Sequence, residues 1–228
     1  MEINGEASIR ENEIRRGRGI STGLAGLDAV LAPTGSSNRN RSSSLSSSSG
    51  IRQGRVTEIY GPPGVGKTTF GLQLASNVLS RFYYREVSSL AHILTLVMHP
   101  TPLFPPPNTR LIIIDDLSNL ILSSLPWTPG PDKKLVDKAA VAATLKRDPV
   151  RRTQTIESLS SGLSSLAASR QLAVVVLNKC GTTQQPGTRA VLRPALAGQA
   201  WDSGIYARIV LYRDSTAPRH RESAEWPR

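Results

Sequence analysis

The run Gly61-Pro62-Pro63-Gly64-Val65-Gly66-Lys67-Thr68 holds the residues whose types and spacing point most directly to chemistry. It fits G-x-x-x-x-G-K-[ST], the phosphate-binding P-loop. Glycines let the backbone curl until successive N–H groups face inward, toward anionic oxygens. A helix beginning near Lys67 adds the positive end of its dipole. Lys67 brings a mobile ammonium to the β- and γ-phosphates of a nucleoside triphosphate, and the Thr68 hydroxyl can ligate Mg2+. Thr69 extends the same set. The bland alternative is a chance glycine loop with a surface lysine, but an apolar strand before it and a helix after it supply the context the motif needs. ATP and Mg2+ are the cofactors expected.

A second element is expected, a strand ending in an acid. Leu111-Ile112-Ile113-Ile114-Asp115 supplies it. Asp115 at the carboxyl end of that strand would face the phosphates and hold the metal, directly or through water. Its alternative role is a turn or helix-cap acid. Asp116 points elsewhere on a strand of period two.

The elements that must position these groups read as an α/β fold. Val56–Tyr60 is a short strand, and Thr68–Ser80 a helix burying Phe70, Leu72, Leu74, Ala75, Val78 and Leu79. Leu90–Met98 reads as helical, ended by a proline-rich stretch to Pro107. Leu111–Ile114 reads as a strand buried on both faces. Ile156, Leu159, Leu163, Leu166 and Ala167 recur at helical spacing, which predicts an amphipathic helix over Thr153–Arg170. Leu172–Leu177 and Ile205–Tyr212 are further strands, with a polar loop over Gly181–Pro194. Such alternation implies a mainly parallel sheet flanked by helices. Residues 1–19 read as a flexible basic arm, 20–213 as the ATP-binding domain, 35–50 as a Ser-rich insertion and 214–228 as a polar tail.

Lys plus Arg number 28 against 17 Asp plus Glu, a net charge of +11. Such a chain suits nucleic acid or another anionic surface, or simply carries basic tails. The single cysteine, Cys180, rules out an internal disulfide and a multi-cysteine zinc site. No apolar run reaches the roughly 20 residues that span a bilayer, so no membrane partner is expected.

Taken together, these motifs resemble the RecA-like recombinases, in particular the eukaryotic recombinase paralogues. The resemblance is carried by Ile20-Ser21-Thr22-Gly23 with Leu27-Asp28, by Gly54 and Val56–Gly61, and by Leu111–Leu117 with Ser118-Asn119-Leu120. It continues through Val174–Asn178, Pro194–Trp201 and Ala207–Leu211. It implies a P-loop NTPase of RecA type, a role in homologous-recombination DNA repair, related paralogue subunits as partners, and the nucleus as location.

Departures qualify that picture. The family carries another strand between the P-loop helix and the second nucleotide strand, ending in a glutamate that activates water. Here the stretch before Leu90 offers only Phe82-Tyr83-Tyr84-Arg85-Glu86, so an incomplete core is expected, with Glu86 either the catalytic base or a surface acid. The resemblance then implies a mediator with weak or no hydrolysis, at most a weak DNA-dependent ATPase. Lys179 stands after Asn178 where the family commonly has Gln; both are candidate phosphate contacts, though Lys179 reads equally as a loop charge. No segment of these residues is expected to form the family's N-terminal helical DNA-binding domain.

The family's DNA-facing loops fall after Asp116 and after Asn178. Lys133, Lys134, Lys138, Lys146, Arg147, Arg151 and Arg152 lie in the first region, Arg189 and Arg193 in the second. They would neutralise phosphates without reading sequence, or are solvated surface charges. Alternative readings are a P-loop small-molecule kinase and a non-functional truncated isoform.

Overall fold

The computed structural model describes residues 19–32, 49–78, 81–101, 103–125, 138–183 and 190–213. The basic arm, most of the Ser-rich insertion, and the tail from residue 214 lie outside them.

The fold is α/β, with a mainly parallel sheet flanked by helices. Strands β3 (Val56–Gly61), β4 (Leu111–Asp115), β5 (Ala173–Thr183) and β7 (Ala207–Val210) run parallel in the order β4-β5-β3-β7. β6 (Val191–Pro194) pairs antiparallel with β5, from Cys180↔Pro194 to Thr183↔Val191. The expected polar loop over Gly181–Pro194 is thus partly a hairpin. A separate short pair, β1 (Gly19–Ile20) and β2 (Ile51–Arg52), brackets α1 (Ala25–Val30).

Side-chain alternation divides the core into two layers. Val174 and Val176 of β5, with Val56 of β3 and Ile112 and Ile114 of β4, face α3 (Leu90–Met98), α4 (Leu117–Ser124) and α5 (Lys138–Arg170). Leu159, Leu163 and Ala167 of α5 are essentially inaccessible there, in agreement with the helical periodicity. Ala173, Val175 and Leu177, with Ile59, Leu111 and Ile113, face the other way, toward Leu74 of α2 (Lys67–Ser76) and Ile20 and Ile51 of the small pair. Each fully buried Leu or Ile contributes about 1.5–3 kcal/mol of transfer free energy.

The structure differs from the sequence expectation in places. Leu111–Ile114 is only half-buried, because β4 has a strand neighbour on one side only among the described residues. Leu72 turns outward on α2, whose buried residues are Gly71, Leu74 and Ala75. The strand expected over Ile205–Tyr212 is ordered as Ala207–Val210. α5 begins well before Thr153, at Lys138.

Candidate functional site

β3 carries the chain to the centre of the sheet and stops at Gly61. A β-carbon on Gly61 would lie 2.1 Å from the carbonyl oxygen of Leu211, so only glycine lets β3 and the strand after Tyr206 approach this closely. The loop then turns through Gly64 at φ 76° and Gly66 at φ 97°, left-handed conformations that side chains disfavour. Gly66 is the N-cap of α2, and its carbonyl accepts the first helical bond from Phe70 N–H at 2.8 Å. Among the described residues, the N–H groups of Gly64, Val65, Gly66, Lys67, Thr68 and Thr69 meet no protein acceptor. Such a set of unpaired donors at a helix start forms an anion cradle.

The Lys67 ammonium donates to the carbonyls of Gly61 (2.8 Å) and Pro62 (2.9 Å). It has one further proton to offer an anion in the loop. The Thr68 hydroxyl donates to Asp115 Oδ2 at 2.6 Å, which joins α2 to the carboxyl end of β4. Octahedral Mg2+ at about 2.1 Å places adjacent oxygens about 3 Å apart, so this pair needs little movement to share one ion. The donor set therefore fits Mg2+.

Asp115 and Asp116 divide their roles. Asp116 caps α4, accepting from Asn119 N–H at 3.3 Å and from the Ser118 hydroxyl. Asp115 is left exposed and turned to Thr68.

Other candidates fall elsewhere. Asn178 is completely buried. Its amide donates to Glu58 Oε1 at 2.6 Å, and its carbonyl accepts from Ser118 N–H at 3.0 Å. Both ends of its amide are thus committed inside the protein, at a position in register with Tyr60, one residue before the P-loop. Lys179 is in register with Gly61 at the same end of the sheet, its ammonium 3.1 Å from Asn119 Oδ1 and 3.8 Å from Asp116. Glu86 lies exposed on an irregular segment outside the sheet, with no bond to the P-loop or Asp115 among the described residues. Its neighbour Val87 packs on the α3–α5 side, opposite α2.

The basic candidates also divide. Arg152 is buried, which pushes its pKa down, and its guanidinium donates to the Leu125 carbonyl at 2.8 Å, where α4 ends. It is a helix-end partner, which corrects its reading as a DNA contact. Arg151 and Arg193 are exposed. Lys133, Lys134, Arg189 and the side chains of Lys138, Lys146 and Arg147 lie outside the described residues.

Groups not anticipated also reach this end of the sheet. Arg213 donates to the Gly64 carbonyl at 3.0 Å. With Tyr212, Leu192, Pro62, Pro63 and Val65 it lines a cavity of about 400 Å³ beside the P-loop. The parallel pairing of β7 with β3 delivers whatever follows Val210 to the loop, and no local feature of the sequence announces it. Glu58 was equally unforeseen. It is fully buried within β3 and accepts from Arg208 Nε at 2.6 Å. Burial opposes the charge on Arg208, but bonds to Asp202 and Glu58 outweigh it and raise its pKa.

A strand–cradle–helix unit, with an acid delivered by a parallel strand one place removed, defines a P-loop ATPase fold of RecA type. Residues 20–87 match the family described as "ATPase: KaiC". DNA repair protein RAD55 of Saccharomyces cerevisiae (strain ATCC 204508 / S288c) is 33% identical over 69 residues, which cover 30% of this chain and 13% of the relative. Both are likenesses over about 30% of the chain, one to an ATPase family and one to a DNA repair protein. No helix among the described residues is long and apolar enough to cross a membrane.

Proposed function

We propose that this protein is an ATP-binding recombinase paralogue of homologous-recombination DNA repair, acting in the nucleus as a mediator subunit alongside related subunits. The observation that carries the nucleotide reading is the cradle of unpaired N–H groups from Gly64 to Thr69, set against the Thr68–Asp115 pair. Lys67 and the cradle hold the phosphates, Thr68 and Asp115 hold Mg2+, and Tyr212 and Arg213 flank the bound nucleotide. Mg2+, when bound, neutralises phosphate charge. The name of the matched relative supports the repair role.

Hydrolysis is weak or absent in this reading. β4 ends the sheet and Glu86 lies outside it among the described residues, so the attacking water lacks a positioned base. Loss of general-base help costs about 10²–10⁴-fold in rate. Nucleotide then acts by stabilising a partner-competent conformation through differential binding. The exposed Arg151 and Arg193, together with Arg189, would meet DNA phosphates.

The test is co-purification with candidate paralogue subunits in Mg-ATP and in EDTA, with turnover measured in parallel. Nucleotide-dependent assembly with near-background turnover supports the reading. Phosphorylation of a small-molecule acceptor overturns it in favour of a kinase. One observation favours a second reading, a shortened inactive form: the aliphatic Leu111–Ile114 run stands half-exposed at a sheet edge, where unpaired strands invite aggregation. Reversible two-state unfolding of the soluble chain would count against that form.

A further inference from the structure

The carbonyls of Gly61 and Pro62 face the Lys67 ammonium, whereas that of Gly64 is held by Arg213, 149 residues further along the chain. Pro62 and Pro63 carry no N–H, so the donors of the cradle begin at Gly64. A trans peptide is planar, with its C=O and N–H on opposite edges. The 3.0 Å bond from Arg213 to the Gly64 carbonyl therefore turns the Val65 N–H away from Arg213. Among the described residues that N–H meets no protein acceptor. Little else fixes this peptide. Gly64 stands at φ 76°, and glycine takes either sign of φ at similar cost. A β-carbon there would meet nothing within 4 Å, so packing does not hold it either. Rotation of the Gly64–Val65 peptide would put a carbonyl oxygen where the cradle needs a donor. Arg213 is itself well placed to prevent that. Leu211 N–H donates to the Tyr60 carbonyl at 2.9 Å, which ties the chain to β3 two residues earlier, and among the described residues no carboxylate draws the guanidinium away.

We infer that Arg213 is a positioning residue for the anion cradle: its bond to the Gly64 carbonyl holds the Val65 N–H toward the phosphates. The inference rests on the nucleotide reading above and adds the residue that sets the shape of the loop. Arg213 acts here through the orientation of a backbone amide, so its effect is common to every ligand with the same phosphate chain. It also acts through a bond to a neutral carbonyl, which salt screens little, unlike the attraction between separated exposed charges.

The test titrates the full chain with Mg-ATP and with Mg-tripolyphosphate, at about 0.1 and 1 M salt, where the Debye length is about 10 and 3 Å. The unaltered chain is compared with Arg213→Ala and Arg213→Lys. One hydrogen bond is worth about three- to tenfold in affinity. Arg213→Ala should weaken both ligands by that common factor at both salts, and Arg213→Lys, which keeps a long donor side chain, should recover most of it. Arg213 is exposed, so the thermal midpoint without ligand should stay where it is. Undiminished affinity in Arg213→Ala would overturn the inference. So would a loss that disappears at 1 M salt, the mark of charge alone, or a loss confined to ATP, the mark of contact with the nucleoside. If the unaltered chain binds neither ligand, the nucleotide reading falls as well; if it binds both and Arg213→Ala matches it, only the positioning role falls.

Discussion

Removing the guanidinium of Arg208 should cost far more than a surface substitution. Its Nε lies 2.6 Å from Oε2 of Glu58, a carboxylate with no solvent access, whose Oε1 is occupied by the Asn178 amide. Its other contact, to Asp202, is well exposed at 30% and 44% side-chain accessibility and contributes about 0–1 kcal/mol. Taking one partner from a buried pair generally costs about 3–5 kcal/mol, because the remaining charge is stranded. Arg208 is itself part-exposed, so water can reach Oε2 once it is gone, and about 2–3 kcal/mol is the expected loss for Arg208→Ala. At about 2–4 °C per kcal/mol, the thermal midpoint falls by roughly 4–12 °C. Urea unfolding at neutral pH measures the loss directly. Adding Glu58→Gln should recover part of it, since a neutral amide needs no counter-charge. A loss below about 0.5 kcal/mol would refute the reasoning, because that is the scale of a surface change.

Other outcomes follow from the same contacts. Asp115→Asn should remove most of the Mg2+ dependence of ATP binding while leaving metal-free binding nearly unchanged, as read by titration with and without EDTA. Asp28 is nearly buried; burial raises its pKa, but bonds from the Ser21 hydroxyl and from Thr22 N–H and hydroxyl outweigh that and lower it below 3.8. Its contribution to stability is therefore complete above pH 3.8 and is lost as pH falls through the lower folded value. Asp28→Asn should flatten that acid limb in unfolding curves recorded against pH.

The site was legible where backbone geometry dictates residue type. Gly64 and Gly66 adopt left-handed conformations, and Lys67 and Thr68 follow them at the head of a helix, so the motif and its structure coincide. Asp115 was legible because an aliphatic strand ends in an acid, although its bond to Thr68 depends on strand order. What lay hidden was long-range. Glu58 sits inside an otherwise uncharged strand, and nothing local announces Arg208, 150 residues away, as its partner. Arg213 and Tyr212 reach the P-loop only because β7 pairs with β3. Asn178 ends an apolar strand as a phosphate contact would, yet its side chain turns inward to Glu58 and Ser118. The Leu111–Ile114 run misled on burial, because aliphatic composition reports the faces of a strand and not whether a neighbour lies on each side.

The central claim is that the amides around Gly64–Thr69, with Lys67, bind a nucleoside triphosphate. Thermal unfolding with and without Mg-ATP, for the unaltered chain and for Lys67→Ala, addresses it most directly. At 100 times the dissociation constant, a ligand that binds only the folded state adds about 2.7 kcal/mol, which moves the midpoint up by roughly 5–10 °C. The account predicts that rise for the unaltered chain and its loss in Lys67→Ala; no rise in the unaltered chain, or an equal rise in both, would contradict it.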